Sequence, residues 1–344
     1  MKRNLLAIAI PALLVAGAAN ASIEVWNKDG NKLNINGRVY ALNYLGDTKN
    51  HIDGEGDKTT ARIGFTGETQ VTDSLSGYGR AEWETSAKDG FKETRYAFAG
   101  LNFGQYGSFD YGRNDGVLKA ITSYTDVLPE FGGNASDNKL YVLSARSNAV
   151  ATYRNSGFYG LVDGLDFAVQ YGDNKVDSSI VSNKEAFGLN AQYAILDTGL
   201  SVGGGYATTT KNGDKRINTY MAGVKYEAYN LYLGALYSHS KYDDAKVKGF
   251  ELVAQYGFDF EVGRLTPSVA YIQHKGTDYP NADNQIVGTD YLSKYVEVGV
   301  QYDFNKNLTA VVDYKINLLD DDKDYKYSKA DTKNTLALGL IYQF

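Results

Sequence analysis

The chain holds no cysteine, four prolines, two tryptophans and three histidines in 344 residues. Without cysteine there is neither disulfide scaffolding nor thiolate chemistry. His51, His239 and His274 are far apart and offer no ligand spacing for a metal. No GxSxG elbow occurs that would support a Ser-His-Asp site. Runs of lysine and arginine are absent, and the formal charge of −6 has the wrong sign for nucleic acid. Beyond the first 21 residues no stretch of about 18 apolar residues exists, so no transmembrane helix is available. Metal, cofactor and nucleic acid are therefore all expected to be absent.

What is present points to export. The opening MKRNLLAIAIPALLVAGAANA joins a basic start (Lys2, Arg3), an apolar run from Leu5 to Val15 and small residues at Ala19 and Ala21, the pattern of a secretory signal peptide. Residues 1–21 are expected to be removed. The remaining 22–344 form one domain with 33 basic and 41 acidic residues, a formal balance of −8. Export without a membrane helix leaves the periplasm, the medium or the outer membrane of a Gram-negative cell. The 37 glycines and 29 tyrosines describe an extended, turn-rich chain. A mean hydropathy of −0.38 suits a membrane barrel as well as a soluble protein, because only every second residue of a barrel strand meets lipid.

Period-2 alternation runs from end to end. Leu336, Leu338, Leu340, Tyr342 and Phe344 share one face, with Ala337, Gly339, Ile341 and Gln343 on the other. The pattern recurs in Leu165–Tyr171, Phe187–Tyr193, Tyr220–Tyr226, Phe250–Tyr256 and Val296–Tyr302. The apolar face is aliphatic in the middle and closes on tyrosine, as in the aromatic girdles of an outer-membrane barrel. The other face, rich in Gly, Ser, Asn, Gln and charge, suits a wet lumen and would make a poor dry core. About sixteen such segments fit the mature length at roughly 20 residues per strand and connection, and a barrel of that size leaves an aqueous channel. Turns such as Asp73–Gly77, Leu196–Gly199 and Phe304–Asn307 are short; Tyr242–Lys248 and Asp320–Asn334 look longer and polar. The expected fold is an all-β, 16-stranded antiparallel transmembrane barrel.

Strand parity directs three arginines inward. Leu33, Ile35 and Val39 oppose Arg38; Ala61, Ile63 and Phe65 oppose Arg62; Tyr96 and Phe98 oppose Arg95. On the lipid face near the midplane each would cost about 2–4 kcal/mol. Arg146, just before ATYRN, is placed with them. The segment from about 114 to 145 is the longest without alternation, and within it lies YTDVLPEFGGN. If it folds into the lumen, Val127, Leu128 and Phe131 pack on the wall, Gly132 and Gly133 turn the chain back, and Asp126 and Glu130 face the arginines. Opposed charges across confined water make a transverse field that admits small polar solutes and penalises apolar ones.

The motifs RIGFTGETQ (62–70), AFAGLNF (97–103), GSFDYGRN (107–114), YTDVLPEFGG and EVGVQYDFNKN (297–307), with the terminal YQF, resemble the enterobacterial general porins of the OmpF/OmpC type. The resemblance spans the mature chain. It implies a homotrimer of 16-stranded barrels, each with its third external loop folded inward, embedded among outer-membrane lipid and lipopolysaccharide. Carried over by position, the basic wall falls on Arg38, Arg62, Arg95 and Arg146 and the acidic loop residues on Asp126 and Glu130. Phe344 falls on the signal read by the barrel-assembly machinery, and Arg113 on the acceptor of a latch between subunits. Lys119 stands where relatives carry tyrosine, and Asn134 where aspartate is common; both make the passage more positive. Loop Thr85–Thr94 is short, which leaves Asp89 and Glu93 as candidate partners for Arg113. The resemblance implies passive passage of ions and small hydrophilic solutes, polar antibiotics among them, with no chemistry. A barrel enzyme would need a His constellation at the rim, and a sugar-specific channel an aromatic ladder inside. The balance of −8 leans toward cations.

Overall fold

Strands form where one face can meet lipid and the other water, and the sequence supplies that alternation repeatedly. The structure, a computed structural model, describes residues 22–46, 54–87, 90, 93–137, 140–173, 185–210, 216–280, 286–320 and 332–344. The expected signal peptide lies outside the described residues, as do Asp89 and residues 321–331 of the expected long connection Asp320–Asn334.

Sixteen long strands follow one another among the described residues: β1 (Asn31–Leu45), β2 (Thr60–Thr72), β3 (Leu75–Ser86), β4 (Glu93–Asn102), β5 (Ser108–Asp115), β6 (Arg146–Asn155), β7 (Leu165–Gly172) and β8 (Ala186–Ile195). The second half comprises β9 (Leu200–Thr210), β10 (Arg216–Ala228), β11 (Leu231–Tyr242), β12 (Ala245–Tyr256), β13 (Arg264–Pro280), β14 (Ile286–Asp303), β15 (Leu308–Asn317) and β16 (Thr335–Gln343). Each pairs antiparallel with its neighbours in sequence, and β16 returns to β1, with Gln343 opposite Arg38 and Leu336 opposite Leu45. An extra strand, Ser22–Lys28, pairs with the lower half of β1 from Asn36 down to Asn31. It continues along β1 the ladder that β16 begins, so the two ends of the described chain meet beside Gly37.

That junction is tightly made. The Gly37 amide donates to the Phe344 carbonyl at 2.8 Å, and the Phe344 amide donates back at 3.0 Å. A Cβ on Gly37 would stand 2.4 Å from the Phe344 ring. The position is glycine because an aromatic ring covers the backbone there.

Parity is as the sequence implies along most strands, but β4 departs from it: Tyr96 and Phe98 face the lumen, and Arg95 joins them because a bulge opposite Glu82 and Trp83 inserts one residue. In β16 Ala337 is fully buried, while Leu338, Leu340 (48%) and Tyr342 (51%) are exposed to the outside. Phe187 and Leu189 on β8, and Phe250 and Leu252 on β12, repeat the pattern. One end of the barrel carries short turns such as Asp73–Ser74, Tyr229–Asn230 and Phe304–Asn307, together with both described chain ends. The other end carries the longer connections, the asymmetry of an outer-membrane barrel. One expectation fails: Tyr242–Lys248 is no long loop. Only Asp243 and Asp244 connect β11 to β12, and the ladder runs up to Tyr242 opposite Ala245. Lys246 and Lys248 are strand residues whose charge hides the alternation of Val247, Gly249 and Glu251.

Gly37→Val is expected to overpack the closure and cost about 1–3 kcal/mol, seen as a lower temperature at which the folded barrel loses its compact electrophoretic mobility.

Candidate functional site

Residues 116–145, between β5 and β6, turn into the barrel. The two limbs are tied at the base, where Gly116 and Leu118 amides donate to the Ala145 and Leu143 carbonyls at 2.8 and 2.9 Å. A short helix α1 (Lys119–Thr122) follows. Val117, Leu118, Ile121, Tyr141 and Leu143 are buried in one cluster with Ala186, Ala207, Met221 and Leu236 of the wall. Phe131, with Val127 and Leu128, enters a second cluster with Tyr40, Leu42, Val253, Ile272 and Tyr295. These are the three apolar residues that the sequence leaves unexplained in an exposed loop.

Much of the wall beneath the loop is glycine, for a steric reason. A Cβ on Gly188 would meet Val117 at 2.5 Å, one on Gly205 would meet Leu118 at 2.5 Å, and one on Gly234 would meet the Tyr124 carbonyl at 2.1 Å. The sequence assigns inward glycines to a wet lumen. Here they form a dry trough in which the loop lies.

Polar anchors fix the tip. The Glu130 and Phe131 amides donate to Asp313 Oδ2 at 2.9 and 3.0 Å, two bonds to a carboxylate. The Tyr295 hydroxyl donates to the Phe131 carbonyl at 2.9 Å, and Gln255 Nε2 to the Val127 carbonyl at 2.8 Å. Gly133 has φ +76° and its missing Cβ would fall 2.7 Å from Asp126 Oδ1, so the turn requires glycine on both counts.

Opposite the tip, Arg38, Arg62, Arg95 and Arg146 all line one cavity of about 1030 Å³, and Lys119, Asp126, Val127 and Leu128 line it from the loop. The arginines do not stand bare. Arg62 pairs with Glu84, Arg95 Nε lies 2.7 Å from Glu82 Oε1 and Arg95 Nη1 3.3 Å from Glu84 Oε1. Arg80 Nη2 lies 2.6 Å from Glu82 Oε2, and its guanidinium sits 3.9 Å over the Tyr96 ring. Arg38 lies 5.2 Å from the Tyr40 ring, and Arg146 is 3.7 Å from Glu93. Arg154 pairs with Asp110 lower in the same cavity.

The loop acids are also engaged. Lys119 pairs with Asp126, and its Nζ donates to Ser136 Oγ at 2.9 Å. Glu130 Oε1 accepts from the Tyr44 hydroxyl at 2.5 Å, which holds this carboxylate toward the wall. Sequence reasoning missed Arg80, Glu82 and Glu84, although parity against Ala81 and Trp83 sends all three inward. Arg113 shares the outer face of β5 with Phe109 and Tyr111; its Nε donates to the Thr94 carbonyl at 2.5 Å and its Nη1 to Asn148 Oδ1 at 2.9 Å.

The closed sixteen-strand barrel has counterparts among known proteins. The sequence model of the family described as Gram-negative porin matches residues 28–344. The chain belongs to the Gram-negative porins. Outer membrane porin C of Salmonella typhimurium is 45% identical over the whole of both chains, and outer membrane protein F of Serratia marcescens 43%. A Salmonella typhi OmpF, solved in complex with daunomycin, superposes with a TM-score of 0.81 at 34% identity, covering 94% of this chain and all of that one. An OmpT of Vibrio cholerae, at a TM-score of 0.66 and 16% identity, shares the fold.

Gly234→Val is expected to push the porin's loop off the trough and change single-channel conductance. Gly204→Val is the control: its added Cβ would meet nothing closer than 3.4 Å, and conductance should stay at the wild-type level.

Proposed function

We propose that this outer-membrane general diffusion porin filters ions and small hydrophilic solutes at the gap between its arginine wall and its internal loop. One observation carries the reading: the residues of the wall and of the loop tip line a single cavity of about 1030 Å³ inside a closed barrel. Solutes there cross a field running from Arg38, Arg62, Arg80 and Arg95 toward the carboxylates of the loop, strengthened because confined water screens less than bulk. The channel performs no chemistry, and its family works as passive pores.

The finer selectivity follows from local pairing more than from total charge. Because Lys119 balances Asp126, the loop contributes less negative charge than its two acids suggest, and cation preference is weaker than −8 implies. Trimeric assembly fits the outward, half-buried Arg113. With Glu93 beside Arg146, a subunit latch on Arg113 would draw on another acid. Phe344, packed over Gly37 at the seam, is proposed as the residue that the assembly machinery reads.

Reversal potentials across a planar bilayer under a KCl gradient test the filter. Asp126→Asn with Glu130→Gln should move the potential toward anions, and an unchanged potential would remove the loop from the permeation path. Absence of conductance from correctly inserted wild-type protein would sink the porin reading itself. For the terminal residue, Phe344→Ser should lower the amount of assembled trimer in the outer membrane several-fold; normal assembly would refute its role as a signal.

A further inference from the structure

The filter described so far leaves unused a buried polar chain behind the loop. Glu251 on β12 is 1% exposed and His274 on β13 is 0% exposed, and neither lines the passage. Glu251 accepts from the loop at both oxygens: Thr125 Oγ1 donates to Oε2, and the Ala135 amide donates to Oε1 at 2.9 Å. His274 Nε2 lies 2.9 Å from that same Oε1, and His274 Nδ1 lies 2.6 Å from the Tyr141 hydroxyl, on the returning limb of the loop. Room for the imidazole comes from Gly249, where a Cβ would stand 2.4 Å from His274 Cε1.

The positions matter. Thr125 and Ala135 bracket residues 126–134, the tip that carries Asp126, Glu130 and the Gly132–Gly133 turn. One carboxylate therefore staples the two ends of the tip, while Asp313 and Tyr295 hold its middle. With Nε2–H donating to Glu251, Nδ1 is left to accept from the Tyr141 hydroxyl, and every polar atom of the chain has a partner. A buried carboxylate free to turn would leave the Ala135 amide unpaired, at a cost of about 1–3 kcal/mol.

We infer that His274, a positioning residue acting through Glu251, locks the base of the loop tip and so sets how far the tip projects into the passage. It is thereby a determinant of the porin's size limit and of the steadiness of its open state. The inference rests on the porin reading.

The test uses purified full-length protein in planar bilayers and in liposome swelling with sugars of increasing size. His274→Ala should make partial closures several-fold more frequent and shift the size limit. His274→Gln, whose amide can donate to Glu251 and accept from Tyr141, should restore wild-type behaviour. Tyr141→Phe keeps the ring and removes one hydroxyl, and should raise closures to an intermediate level. Steady currents and an unchanged size limit in either His274→Ala or Tyr141→Phe, with the barrel folded by its heat-modifiable mobility, would overturn the inference. So would a His274→Gln protein as noisy as His274→Ala, since that would make the ring a filler. Should His274→Ala fail to fold, Tyr141→Phe decides. A silent wild-type protein would instead discard the porin reading and leave the staple's geometry untouched.

Discussion

Everything in this molecule depends on closing the backbone ladder. In a bilayer no water is present to satisfy an unpaired N–H or C=O, each costing several kcal/mol, so a spanning sheet has to be free of edges. Closure is achieved by β16 meeting β1 and by the strand Ser22–Lys28 extending the same line of bonds below Gly37. The ring fixes a lumen wider than side chains alone can fill. That width creates the opportunity for a loop to enter, and on the proposed function the loop sets what the lumen can pass.

The internal loop resolves two opposing demands. Its backbone leaves regular pairing, yet it lies in a space where unpaired polar groups are costly. The wall answers with side chains in place of strands: Asp313, Tyr295, Gln255, Glu251 and Thr219 each take or give a bond to loop backbone. Apolar residues of the loop pack between those anchors, against glycines that bring the wall close. The result is half lumen and half core, dry on one side of the loop and wet on the other.

The barrel was legible because parity is a local property: residue i and residue i+2 declare the face without knowledge of anything distant. The same rule put Arg38 and Arg62 inward, and extended to β3 it would have found Arg80, Glu82 and Glu84; Arg95 comes inward through a bulge that alternation does not reveal, beside Tyr96 and Phe98, which alternation had sent outward. What parity could not give is who pairs with whom. Lys119 meets Asp126 only because the helical turn Lys119–Thr122 brings positions seven apart into contact. His274 meets Glu251 across two strands and Tyr141 across more than a hundred residues. The glycine trough was misjudged for the same reason, since a missing side chain signals flexibility, wetness or clearance equally well until the object needing clearance is known. Tyr242–Lys248 misled in another way, because charged residues on the outer face of a strand end resemble a loop when composition alone is weighed.

Pairing also separates the charge of the protein from the charge of its passage. The chain is acidic in total, but the cavity is lined by more guanidinium and ammonium groups than carboxylates, and acids on remote loops act across water that screens them within about 8–10 Å. Close to the tip, Glu82 and Glu84 quench part of the arginine wall, and Lys119 quenches part of the loop. On the proposed function a field remains because the four arginines Arg38, Arg62, Arg80 and Arg95 outnumber the two acids, Glu82 and Glu84, that pair with them. A solute in the gap meets dipoles spread along the wall instead of two isolated opposed charges. Such an arrangement orients polar molecules without binding any one of them tightly, the condition under which a passive pore conducts instead of trapping what it admits.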